Sequence, residues 1–197
     1  MSGLTLPAAI EAVVIGASSG GVEALRRLLP ALPAGLAASV FVVLHLPRGR
    51  GSLLAEIFGR VCALPVREVL DKDPVLPGTV YVAPPNYHLL LDSGPQLALS
   101  MDEPVEYSRP SITVLFESAA ALYGPRLLAV ILTGAGADGA EGLAAVQRAG
   151  GCCVVQLPAD ASVPQMPASA LQRTSADFVL TLEDIMSLFR QLPRSSA

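Results

Sequence analysis

Among its 197 residues the chain has a single lysine, Lys72, and its formal net charge is −4. Nucleic-acid backbones are held by clustered Lys and Arg, and no basic stripe exists here, so no nucleic-acid partner is expected. Three cysteines, Cys62, Cys152 and Cys153, are too few and too badly placed for a disulfide framework, and a cytoplasmic, reducing setting fits them best. Two histidines, His45 and His88, with no Cys-x-x-Cys spacing, do not make a zinc site, so no metal is expected. Every long apolar run is broken by Gly, Pro or charge before the ~20 residues of a bilayer span, which excludes membrane insertion by a helix. Residues 1–11 lack the basic start and apolar stretch of a signal peptide.

What remains is a core-rich chain, 52% apolar and 15% charged, long enough for one globular unit. Short β-branched runs alternate with helical stretches. Strands are expected over residues 12–17, 39–45, 66–69, 79–83, 127–133, 152–156 and 178–180, and helices over 20–32, 52–61, 110–123, 140–149, 166–172 and 182–191. Residues 87–91 and 96–100, joined by Asp92-Ser93-Gly94-Pro95, read as a hairpin. Continuous apolar strands separated by helices imply an α/β fold with a mostly parallel sheet covered on both faces, whose ligands bind beyond the carboxyl ends of the strands.

Directly after the first strand stands Gly16-Ala17-Ser18-Ser19-Gly20-Gly21, the G-x-S-x-G pattern of a nucleophile on a tight strand-to-helix turn. Glycine-rich turns in this place also cradle phosphates, and this string resembles the turn of short-chain dehydrogenases. Those enzymes use a Tyr-x-x-x-Lys pair, whereas Lys72 is preceded four positions earlier by Glu68, so the pair cannot form. A serine nucleophile needs a base, and His45 ends the second strand on the edge where Ser18 ends the first. Asp138 follows the strongest strand in a glycine-rich loop, where it can orient that histidine, cap the helix after it, or do both. His88, beside Pro84-Pro85-Asn86-Tyr87, is given a structural or cleft-wall role.

The strings VVIGASSGGVEAL, VVLHLP, PGTVYVAPPNYHL, SRPSITVLFESAA, AVILTGAGADGAEGL, AGG and MPASAL follow one another from residue 13 to residue 171, within a stretch from residue 12 to residue 193. In this order they resemble successive blocks of the chemotaxis protein-glutamate methylesterases, the CheB family. The resemblance implies a doubly wound parallel sheet with a hairpin near the active site, and hydrolysis of glutamate γ-methyl esters on the cytoplasmic helices of methylated chemoreceptors. Methanol is released, and selected glutamines are often deamidated. It implies Ser18 as nucleophile, His45 as general base and acid, and Asp138 as the residue that orients His45, with no cofactor. Ser19, where the family usually has threonine, would help hold the imidazole or the oxyanion. Ala135 stands where methionine is usual and keeps the backbone N–H that contributes to the oxyanion hole.

Thr113 replaces the aspartate expected after Arg109-Pro110-Ser111-Ile112, and Gln165 the glycine expected before Met166-Pro167. These departures bear on the cleft, and leave open a hydrolase of another ester or a binding module that has lost catalysis. Arg48, Arg50 and Arg109 are candidates for receptor recognition, with a solvated loop as the alternative. Residues 1–11 are expected as a lead-in, 12–193 as the catalytic domain and 194–197 as a tail. Typical members carry a receiver domain, which is not expected in this chain and would be a separate partner.

Overall fold

The computed structural model describes Leu6 and residues 10–45, 53–94 and 96–195. Arg48 and Arg50 lie outside the described residues. In chain order the elements are β1 (Ala12–Ala17), α1 (Gly21–Leu28), β2 (Ser39–Leu44), α2 (Leu54–Gly59), β3 (Val66–Glu68), β4 (Val80–Val82), β5 (His88–Asp92), β6 (Gln96–Ser100), α3 (Ile112–Tyr123), β7 (Leu127–Ile131), α4 (Ala140–Arg148), β8 (Cys152–Gln156), α5 (Gln165–Arg173), β9 (Phe178–Leu180) and α6 (Leu182–Phe189).

Seven strands form one sheet in the order β3-β4-β2-β1-β7-β8-β9, every pairing parallel, while β5 and β6 make a separate antiparallel hairpin. The chain winds outward from β1 through β2, then returns to the other side of β1 at β7. This doubly wound order puts the switch point at β1, where the crossovers diverge and a crevice opens beyond the strand ends.

The period-two alternation of β1 divides the core between the two faces of the sheet. Val13, Ile15 and Ala17 pack in one cluster with Leu25 and Leu28 of α1 and Ile185 and Leu188 of α6. Ala12 and Val14 face Leu115 and Phe116 of α3, Leu143 of α4 and Leu89 of the hairpin. Each Val, Leu, Ile or Phe side chain among them contributes roughly 1.5–3 kcal/mol on burial, so both helix layers are pinned to the sheet. Cys152 and Cys153 lie inside β8 with free thiols; burial, aided by Asp177, pushes both up to about 12, which keeps them protonated.

The differences from the sequence expectation have local causes. The first helix stops at Leu28 and tightens into a 3-10 turn over Leu29–Ala31, because Pro30 has no N–H to continue the α-helical ladder. Ser111, rather than Pro110, heads α3: its hydroxyl accepts from Val114 N–H at 3.4 Å. The seventh strand ends at Ile131, after which Thr133 N–H turns to the Gln156 side-chain carbonyl at 2.8 Å. The expected tail is tied down as far as Ser195, whose N–H donates to Gly35 O at 2.8 Å, while Ala37 N–H donates to Pro193 O at 3.0 Å.

Candidate active site

Ser18 is the first residue beyond β1, at the switch point. Its N–H donates to Thr133 O at 3.0 Å, and Gly21 N–H donates to Ser18 O at 2.8 Å, which closes a tight turn into α1. Gly20 has φ +80, and a methyl group there would also lie 2.9 Å from Ser162 Cβ, so only glycine suits the turn. Thr133 fixes this turn from the neighbouring loop: its hydroxyl donates to Ser19 O and accepts from Val163 N–H, both at 2.9 Å. A methyl on Gly134 would lie 2.9 Å from Ser18 Cβ, so the loop after β7 passes directly against the nucleophile candidate.

Strand register places His45 beside Ser18. Ala17 pairs with Leu44 across β1 and β2, and His45 N–H donates to Ala17 O at 3.1 Å. Ser18 and His45 are therefore the next residues on two parallel strands about 4.8 Å apart. The imidazole Nε2 lies 2.8 Å from Asp138 Oδ2. When the neutral ring donates from Nε2 to that carboxylate, Nδ1 is left with a free lone pair as the nitrogen available to a serine proton.

Asp138 is 3% exposed and saturated with donors. Oδ2 accepts from His45 and from Ile112 N–H at 2.7 Å; Oδ1 accepts from the Ser111 hydroxyl at 2.7 Å and Thr113 N–H at 3.1 Å. Burial alone would raise its pKa, but the bonds from His45, Ile112, Ser111 and Thr113 outweigh it and hold the carboxyl below its ordinary value. The carboxylate thus stays ionised to face an imidazolium. The same carboxylate meets the His45 ring and caps a helix, although the helix capped is α3 and not the one that follows Asp138. That helix, α4, has Gly139 at its cap without a side-chain bond, and Gly139 N–H instead donates to the Thr113 hydroxyl at 2.9 Å. Thr113 is buried, with its hydroxyl taken up by this bond, and it lines a pocket together with Ala137 and Glu141.

Ala135 is exposed, and its N–H has no partner among the described residues, as an oxyanion donor requires. The neighbouring Gly134 N–H is already committed to Val163 O at 3.0 Å. Ser19 is exposed on the turn, with its hydroxyl unpaired among the described residues. Arg109 is elsewhere engaged. Its Nε and Nη2 donate to Asn86 Oδ1 at 3.3 and 2.9 Å, and Nη1 donates to Met101 O and Asp102 O at 2.7 and 2.9 Å. It braces the loop after the hairpin with most of its donors. Sequence reasoning passed over Ser111, Thr133 and Gln156; the only signal was a polar residue standing directly after or at the end of a strand, or directly before a helix.

Fold and site together define a doubly wound α/β domain that brings a hydroxyl, an imidazole and a buried carboxylate to adjoining strand ends, the arrangement of a serine hydrolase. The family model described as CheB methylesterase matches residues 13–189. A protein-glutamate methylesterase/protein-glutamine glutaminase of Anaeromyxobacter dehalogenans is 44% identical over 179 residues, covering 90% of this chain and 51% of that protein. A Leptospira interrogans relative, whose name carries the same two activities provisionally, is 42% identical over 186 residues, covering 94% of this chain and 96% of its own. The chain therefore matches one relative nearly end to end and spans about half the length of the other. The crystal structure of the Thermotoga maritima CheB methylesterase catalytic domain superposes with a TM-score of 0.85 at 33% identity, covering 91% of this chain and 99% of that one. The chain belongs to the CheB methylesterase family.

Proposed function

We propose that the chain is a protein-glutamate methylesterase that hydrolyses γ-methyl esters on the cytoplasmic helices of methylated chemoreceptors, through Ser18, His45 and Asp138 and without a cofactor. His45 Nδ1 takes the Ser18 hydroxyl proton as Oγ attacks the ester carbonyl, and Asp138 stabilises the imidazolium through Nε2. The oxyanion is met by the Ala135 N–H, with the Ser19 hydroxyl as a second donor to it or to the imidazole. His45 returns the proton to the departing methoxide, methanol leaves, and a water activated by the same ring frees the glutamate carboxylate.

The observation that carries this reading is the 2.8 Å contact of His45 Nε2 with a buried Asp138, at the register position next to Ser18. The names of the relatives add glutaminase activity, which needs only ammonia in place of methanol as the leaving group. Among the described residues no helix is long and apolar enough to cross a membrane, in keeping with a cytoplasmic enzyme that meets its receptor from solution. A receiver domain is the regulatory partner that the family implies, and Arg48, Arg50 and Arg109 are the recognition candidates for the receptor.

Methanol release from methylated receptor membranes tests the assignment. Ser18→Ala should lower it by about 10⁶-fold, to the level left by binding and the oxyanion donors alone. Full activity in that variant would overturn the proposal.

A further inference from the structure

His88 is the other histidine of the chain and has no part in the steps above. It is 1% exposed, and both ring nitrogens are committed. Nδ1 accepts from Ser111 N–H at 3.1 Å, and Nε2 lies 3.1 Å from Glu103 O. A backbone N–H can only donate and a carbonyl can only accept, so these partners fix the ring as the neutral tautomer protonated at Nε2.

Ser111 is held by its backbone in this way while its hydroxyl donates to Asp138 Oδ1 at 2.7 Å. Of the four donors to the carboxylate, Ile112 N–H and Thr113 N–H are fixed by the head of α3. Besides the His45 ring, only the Ser111 hydroxyl depends on a side-chain torsion. Its aim therefore rests on where the backbone of residue 111 is placed, and the ring of His88 sets that.

We infer that Ser111 and His88 are positioning residues of the esterase: His88 fixes the backbone at residue 111, Ser111 fixes Asp138, and Asp138 fixes the ring of His45. The inference rests on the triad reading above. The connection runs from the first residue of the hairpin, through the head of α3 and the loop after β7, to the end of β2. Constellations of this kind must hold to about half an ångström to be productive, and neither residue touches substrate, so their loss acts on turnover and not on binding.

Steady-state kinetics on a small ester, with active molecules counted by a serine-directed fluorophosphonate, provide the test. Ser111→Ala should lower kcat by about tenfold with KM unchanged, and Ser111→Thr, which keeps the hydroxyl, should recover most of the loss. Ser111→Gly separates stability from catalysis: glycine is tolerated at a helix cap, so it should melt close to wild type and still lose about tenfold in kcat. His88→Asn keeps an acceptor near Nδ1 for Ser111 and should stay within about threefold of wild type, whereas His88→Gln keeps only the donor for Glu103 and should fall about tenfold. Wild-type kcat in Ser111→Ala and Ser111→Gly, or a change confined to KM, would overturn the role of Ser111. Equal losses in His88→Asn and His88→Gln would overturn that of His88. Ser18→Ala run alongside keeps the two ideas apart: if it remains active the triad reading fails, and if it is silent while the positioning variants are normal, only this inference fails.

Discussion

Both histidines stand at strand ends, yet their surroundings are opposite. His45 follows β2 with its side chain 16% exposed, Nε2 bound to Asp138 and Nδ1 without a partner among the described residues. His88 opens β5, buried, with both nitrogens bonded to backbone groups. An imidazole can move a proton only if one nitrogen is left open, so a fully bonded ring is a strut and a half-bonded ring is a base. Exposure alone does not make the distinction; the count of committed nitrogens does.

That contrast breaks most visibly if His45 is removed. His45→Ala should lower kcat for methanol release by about 10⁶-fold, and a variant within tenfold of wild type would leave the two rings with no functional difference. Next is Asp138→Asn, expected to cost about 10⁴-fold in kcat because the amide no longer holds the ring in its productive tautomer.

The same carboxylate makes a prediction about acid stability. Its folded pKa is depressed below the ordinary ~3.9, so its stabilising contribution is complete above that value and is lost as the pH falls through the folded one. Thermal midpoints followed from pH 5 downward should therefore fall more steeply for the wild type than for Asp138→Asn; parallel curves would contradict the depressed value.

Smaller effects sharpen the comparison at its edges. Thr133→Val should destabilise by about 1–3 kcal/mol in denaturant titration, since Val163 N–H loses its side-chain acceptor, and should slow turnover by loosening the turn at Ser18. Arg109→Ala should cost about 1 kcal/mol of stability and leave kcat/KM for a small ester unchanged. A loss confined to receptor membranes would give Arg109 a place in recognition as well as in bracing its loop.

The strands and helices were legible because each is written as local periodicity: AVVIGA and SVFVVL announce buried parallel strands, and their ends put Ser18 and His45 at one edge. Asp138 was legible as a carboxylate in a loop, but not as the cap of α3. That helix begins 26 residues before it, and a side-chain bond to a remote backbone leaves no periodic trace. The same holds for Ser111, for His88 and for the carbonyls that occupy Arg109. Pro30 was a local signal, yet the helical pattern around it masked the stop that its missing N–H imposes.

Asp138 caps α3, and Thr113 of α3 bonds back to the N–H before α4. The carboxylate proposed to orient the base is thus also a clasp between two segments far apart in sequence. On the proposed triad, the carboxylate is held beside the His45 ring only where α3 and the segment before α4 are docked together.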